Sequence, residues 1–266
     1  MSRLLDLLDR IARGAPSAMG FTAAAQRPTP TPLALLVWME GQGDAVDTRA
    51  LAEARVDAVV LPRGAQDASG LERQVKPLEQ FAWGVEVEGL GRERVEAYRD
   101  AGSDFLVFPL EGTQADALQE GDMARILRLP TGLEEATLRS LEDLPVDAIL
   151  LCPSEPEGPM TLAHLAAIAN VRGATSKYVL VQWGADLTAR ELEHLRNLGV
   201  DGVVVKVHQG TDAKLPALRA QIEALPKRRP RGEQRPAALI PRVGAPFPGP
   251  RHEEEEEEEE GEEEGL

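Results

Sequence analysis

Two glutamates one residue apart, Glu86 and Glu88 in FAWGVEVEG, are the sharpest chemical signal in this chain. Side chains alternate along an extended segment, so positions i and i+2 share a face and both carboxylates point the same way, with Val85 and Val87 opposite. Such a pair suits general acid and base chemistry, or the holding of a hard divalent cation through oxygen. The same alternation aligns polar groups in other apolar runs: Glu40 with Leu36 and Trp38, Arg128 with Ile126, Gln182 with Leu180, and Lys206 with Val204. Arg63, Cys152 and His208 stand at or just beyond the ends of theirs. Lys206 among carboxylates can carry a proton, or form an imine if its amine is freed, although nearby acids oppose that. Arg128 and Lys206 can also hold an anion while Gln182, Glu40 and Arg63 orient it. The reading without a ligand is an ion-pair network in which Arg128 and Lys206 neutralise Glu86 and Glu88, because unpaired buried charges are costly.

Other reactive groups are less organised. The histidines His164, His194, His208 and His252 have no zinc-ligand spacing, so no metal is assigned and no cofactor is named. Glu40, Glu86 and Glu88 holding magnesium is the one metal alternative. Cys152, directly before Pro153, has no histidine nearby to activate it and reads as an inert thiol. Trp38, Trp83 and Trp183 read as core packing, or as a stacking wall for a ring or sugar, with Trp183 the best placed for that role.

The elements that position these groups repeat along the chain. Four apolar runs begin just after an aspartate: RVDAVVL (Asp57), GSDFLVF (Asp104), PVDAILL (Asp147) and GVDGVVV (Asp201). Four more fall between them, starting at Pro32, Phe81, Met123 and Lys177. Helix signals fill the gaps: capping-box patterns at Thr131 with Glu134 and at Thr188 with Glu191, and helix-closing glycines at Gly102 and Gly199. Eight strands alternating with helices predict a closed parallel barrel, the (β/α)8 or TIM-barrel architecture. No glycine-rich dinucleotide turn follows the first strand, which argues against an open doubly wound sheet. In such a barrel the helix-covered face is apolar and sites lie at the carboxyl ends of the strands, where Glu40, Glu86, Glu88, Arg128, Gln182 and Lys206 converge.

The barrel is expected to span residues 33–225. Residues 1–14, SRLLDLLDRIARG after the first methionine, form an amphipathic helix with Leu4, Leu5, Leu8 and Ile11 on one face. It either closes the amino-terminal end of the barrel, packs on the outer helices, or makes a dimer contact. It has neither the basic face of a membrane binder nor the core of a secretory signal. Residues 15–32 read as a Pro-rich linker and residues 226–266 as a disordered charged tail ending in glutamate runs. The formal charge of −16, of which the tail carries 12 acidic and 7 basic side chains, argues against a nucleic-acid partner. One cysteine and no long apolar stretch fit a cytosolic chain without a membrane partner.

The segment QWGADLTARELEHLRNLGVDGVVVKV, from Gln182 to Val207, resembles the last repeat of phosphate-binding (β/α)8 enzymes such as indole-glycerol-phosphate synthase and thiazole synthase. Gly184, Thr188, Gly199, Asp201 and Gly202 carry the match. The resemblance implies a phosphate held at the ends of the last two strands, with Gly184 contributing a backbone amide. Where that family continues with a Gly-Ser pair, this chain has Lys206 and Val207. Two functions remain open at this level. One is a metabolite-binding barrel of lyase, isomerase or synthase type, with Glu86, Glu88 and Lys206 as reacting groups and Glu40, Arg63, Arg128, Gln182 and Gly184 as substrate contacts. The other is a non-catalytic scaffold that uses its leader and tail for interactions.

Overall fold

The computed structural model describes residues 2–14, 31–40, 47–62, 75–118, 121–154, 158–208 and 213–226. Eight parallel strands close on themselves in sequence order, with β1 pairing both β2 and β8. They are β1 (Ala34–Glu40), β2 (Ala58–Leu61), β3 (Ala82–Glu86), β4 (Phe105–Pro109), β5 (Ala124–Pro130), β6 (Ala148–Cys152), β7 (Tyr178–Gln182) and β8 (Gly202–His208). The described helices are α1 (Arg3–Arg13), α2 (Thr48–Glu53), α3 (Arg92–Asp100), α4 (Glu135–Ser140), α5 (Leu162–Ala174), α6 (Ala189–Asn197) and α7 (Leu215–Ala224). The fold is the (β/α)8 barrel expected from the eight apolar runs.

Alternation sorts each strand into two apolar layers. Leu35, Val37, Val59, Trp83, Val85, Leu127, Ile149, Val181 and Val203 pack outward under the helices. Leu36, Trp38, Val60, Ala82, Phe105, Val107, Ile126, Leu150, Leu180 and Val204 fill the lumen. Glycine decides one lumen position. A Cβ on Gly84 would lie 2.3 Å from the Phe105 ring and 2.4 Å from the Phe105 carbonyl oxygen, so the phenyl group occupies space that only glycine leaves open.

The leader helix α1 belongs to the lumen layer. Its Leu4, Leu8 and Ile11 are buried with Ala34, Ala58, Ala82, Ala124 and Ala148, which open five of the strands. Alanine at those positions leaves room for the leucines, and α1 closes the amino-terminal end of the barrel. This settles the destination of the leader in favour of the plug over the outer helices.

The repeated aspartates have a shared structural role. Asp57, Asp147 and Asp201 each stand one residue before an even-numbered strand and accept a hydrogen bond from the amide of the second residue of the preceding strand. Those bonds run from Leu35 (2.9 Å), Arg125 (2.8 Å) and Val179 (2.9 Å). An arginine faces each carboxylate: Arg219 at 2.8 Å from Asp57, Arg125 at 2.9 Å from Asp147 and Arg172 at 3.8 Å from Asp201. Asp104 opens β4 in the same way, and its amide donates to the Trp83 carbonyl at 2.8 Å. Its carboxylate, however, turns to α1 and accepts from the Ser2 hydroxyl (2.9 Å) and from the amides of Arg3 (2.6 Å) and Leu4 (2.9 Å). Arg3 in turn donates to the carbonyls of Glu79, Gln80 and Phe81.

Of the two expected capping boxes, one forms and one does not. At α6, Thr188 and Glu191 form the reciprocal capping box. At α4 the helix begins beyond Thr131, with Glu134 as N-cap and no side-chain cap bond, so the TGLE pattern does not cap it. Thr161 with His164 supplies a capping box that the Glu/Gln rule does not capture. Gly102 and Gly199 take the left-handed conformation, φ +84° and +87°, as helix-closing residues.

Candidate functional site

The lumen is apolar from its plugged end up to the last layer of each strand, where charge begins. Glu86, the final residue of β3, is buried, and Arg128 of β5 places Nη1 2.8 Å from its Oε1. The approach is off the direction of an N–H bond, so the contact is ionic in character. Lys206 of β8 sits 3.7 Å from Glu40 Oε1, and its Nζ lies 5.6 Å from the centre of the Trp38 ring. Register explains the latter contact, since Trp38 pairs with Lys206 and Glu40 with His208 across the β1–β8 seam. Gln182 ends β7 on the lumen side, following Leu180, and is only 4% exposed.

Glu86, Arg128, Gln182, Lys206 and Glu40 therefore share the carboxyl end of the barrel. Glu88 lies on the same end but two residues past β3, exposed, so the two glutamates occupy different environments. Gly184 is half-buried two residues beyond β7, the strand that pairs with β8. Arg63 lies outside the described residues. The pairing also differs from the simplest network: Arg128 faces Glu86, while Lys206 faces Glu40 rather than Glu88.

Electrostatics at this end are read out by Cys152, the last residue of β6. Burial pushes its thiol up to about 12, against the pull of the Arg128 and Lys206 charges, while Glu86 adds to the rise. One side chain thus feels three of the charged groups, and it is held as a neutral thiol unsuited to nucleophilic work. The ammonium of Lys206, with a carboxylate and an indole face beside it, has the surroundings of a charge holder rather than an imine-forming amine. Among the described residues no group of three or more His, Cys, Asp and Glu could hold a metal ion, so Glu40, Glu86 and Glu88 do not gather into a cation cage.

The tryptophans divide. Trp38 is in the lumen layer, whereas Trp83 and Trp183 face outward into the helix layer. Trp183 donates Nε1–H to the Gly158 carbonyl at 3.1 Å and meets the His164 ring edge-on at 4.9 Å. A stacking wall at Trp183 is ruled out by this orientation, because the residue lies one step past Gln182 and alternation turns it away from the lumen. What residue-by-residue reading missed is the indole beneath Lys206. The signal was present in the line Leu36, Trp38, Glu40, but it required the β1–β8 closure to bring Lys206 over it.

No protein-family model matches the sequence, and neither does any curated protein. Solved structures match its fold. A mutant form of the tryptophan synthase alpha-subunit from the hyperthermophile Pyrococcus furiosus superposes with TM-score 0.55 at 12% identity, covering 71% of this chain and 96% of that one. Thiamine phosphate pyrophosphorylase from the same organism gives TM-score 0.53 at 16% identity, covering 72% and 96%. At these identities the likeness is one of architecture: the chain is similar to both proteins in folding as a (β/α)8 barrel.

Proposed function

We propose that this barrel binds a small charged metabolite at the carboxyl ends of its strands and acts on it by lyase, isomerase or synthase chemistry. Lys206 and Arg128 hold its anionic group, Glu86 is the proton-transfer group, Glu88 assists from the rim, and Gln182, Glu40 and Gly184 orient the ligand. The observation that carries this reading is the polarity of the lumen. One end is plugged by the apolar face of α1, and the other gathers two ion pairs and a buried amide. Enzymes of this architecture work at that charged end. The structural neighbours, a synthase subunit and a pyrophosphorylase by name, lend the reaction class its plausibility.

Lysine is a point charge without the fixed geometry of backbone amides, so anion binding is expected to be weak and salt-sensitive. Calorimetric titration with inorganic phosphate and with small carboxylates, at about 20 and 200 mM salt, tests this on wild type and Lys206→Met. The expected result is binding at low salt that weakens at high salt and is lost in the variant. A second reading, a non-catalytic scaffold, is favoured by the fact that both bases already have carboxylate partners. Absence of binding at low salt, or equal binding by the variant, supports that reading and overturns the first.

A further inference from the structure

The capping box at the start of α5 is closed by a group that titrates. Glutamate or glutamine ordinarily completes such a box, and here His164 does so. The Thr161 amide donates to its Nδ1 at 3.1 Å, and the Thr161 hydroxyl, also 3.1 Å from Nδ1, accepts from the His164 amide at 3.3 Å. A backbone amide can only donate, so this bond fixes the tautomer, with Nδ1 bare and the ring proton on Nε2. A second proton would go to Nδ1 and turn the acceptor into a donor that faces a donor. It would also set a cation in the first turn of α5, at the end of the helix dipole that favours negative charge.

Residues 158–161, which lead into α5 at the carboxyl end of the barrel, are tied to the next unit by two further bonds. Trp183, just beyond β7, donates Nε1–H to the Gly158 carbonyl at 3.1 Å, and its ring meets the His164 ring edge-on at 4.9 Å. Glu191, in the first turn of α6, accepts from the Met160 amide at 2.7 Å and from the Thr188 amide and hydroxyl. Among the described residues the charged groups on this side are Glu191 and, one turn along α6, His194. The other charged side chain of α5, Arg172, lies in its last turn and reaches Asp201 and the Thr175 and Lys177 carbonyls. Burial pushes the Glu191 carboxyl up, but the bonds from Thr188 and Met160 outweigh it and hold the group below the ordinary carboxylate value. Glu191 therefore stays ionised where histidines change charge. We propose that His164 is a proton-operated latch: neutral, it fastens the start of α5 to residues 158–161, and protonated, it leaves that segment to the bonds from Trp183 and Glu191. The latch concerns the order of this segment and stands whether or not a metabolite binds at the strand ends.

The test is amide exchange of the full chain, read by NMR and corrected for the intrinsic dependence of exchange on pH. Protection of the Thr161 and His164 amides is expected to fall about fivefold between about pH 8 and about pH 5, the interval in which histidine changes charge and the size of one lost cap. The Glu191 amide, capped by Thr188 in a box closed by a carboxylate, serves as the internal reference and is expected to keep its protection. His164→Gln closes the box with a group that does not titrate, so protection is expected to stay high and flat across the interval. His164→Ala cannot close the box and is expected to show the low protection at both ends. Glu191→Gln is expected to retain the pH dependence of wild type, because the carboxylate is not the group that changes charge. Constant protection in wild type overturns the latch. So does a fall in His164→Gln or His164→Ala equal to that of wild type, or loss of the pH dependence in Glu191→Gln, since another group would then be the one that titrates.

Discussion

Glu142 shows what an exposed carboxylate gains from well-placed donors. It sits in the connection before β6 and accepts from the Ser176 hydroxyl, the Thr175 hydroxyl at 2.7 Å and the Ser176 amide at 2.8 Å, tying that connection to the one before β7. These bonds, the Ser176 hydroxyl first, hold its carboxyl down at about 2 from the ordinary 4.5. A depressed folded-state value means stability that is fully present above the ordinary value and lost as pH falls from about 4.5 towards 2. The difference in melting temperature between wild type and Glu142→Gln should therefore be positive at pH 6 and shrink to nothing across that window. A difference independent of pH would show that the hydrogen bonds do not favour the charged form. This contact was illegible in the sequence, because it joins residues 33 and 34 positions apart through loops. The lumen groups were legible for the opposite reason: Glu86, Arg128, Gln182 and Lys206 follow from period-two alternation within single strands. Their partners were not, since the choice of Arg128 over Lys206 for Glu86 is made across the barrel.

At the scale of elements, the plug α1 is the feature with the clearest energetic signature. Burial of Leu4, Leu8 and Ile11 contributes roughly 1.5–3 kcal/mol per side chain relative to exposure, but the apolar stripe alone does not choose where the helix docks. Asp104 makes that choice by accepting from three donors at the start of α1. The sequence displayed Asp104 as one of four equivalent aspartates, and its different partner depends on α1 reaching the base of β4, which no local pattern encodes. Asp104→Ala should cost about 2 kcal/mol in chemical denaturation, the scale of a lost cap with stranded donors. Amide exchange from Leu5 to Ile11 should quicken in that variant and remain slow in Asp57→Ala, whose carboxylate serves β1 and Arg219 instead. Equal quickening in both would show that α1 is released by general destabilisation rather than by loss of its anchor.

For the whole molecule, eight apolar runs with helix signals between them were enough to anticipate closure, because a parallel strand needs a crossover and right-handed crossovers repeated in sequence order close a barrel. No described helix is long and apolar enough to cross a membrane. The charge balance is divided between the barrel and the segment beyond it, where residues 226–266 alternate basic, proline-rich and glutamate blocks that offer little apolar surface to bury. The barrel carries its own terminus: α7 ends at Ala224, Leu225 is buried, and the Arg196 guanidinium donates to the Pro226 carbonyl. A cut after Pro226 keeps all of these contacts. Deleting residues 227–266 should accordingly leave a cooperative unfolding transition with its midpoint moved by no more than a few degrees, since a shift of that size corresponds to roughly 1 kcal/mol in a chain this long. Differential scanning calorimetry of the two forms at equal protein concentration checks it, and loss of the cooperative transition would show that the segment completes the core.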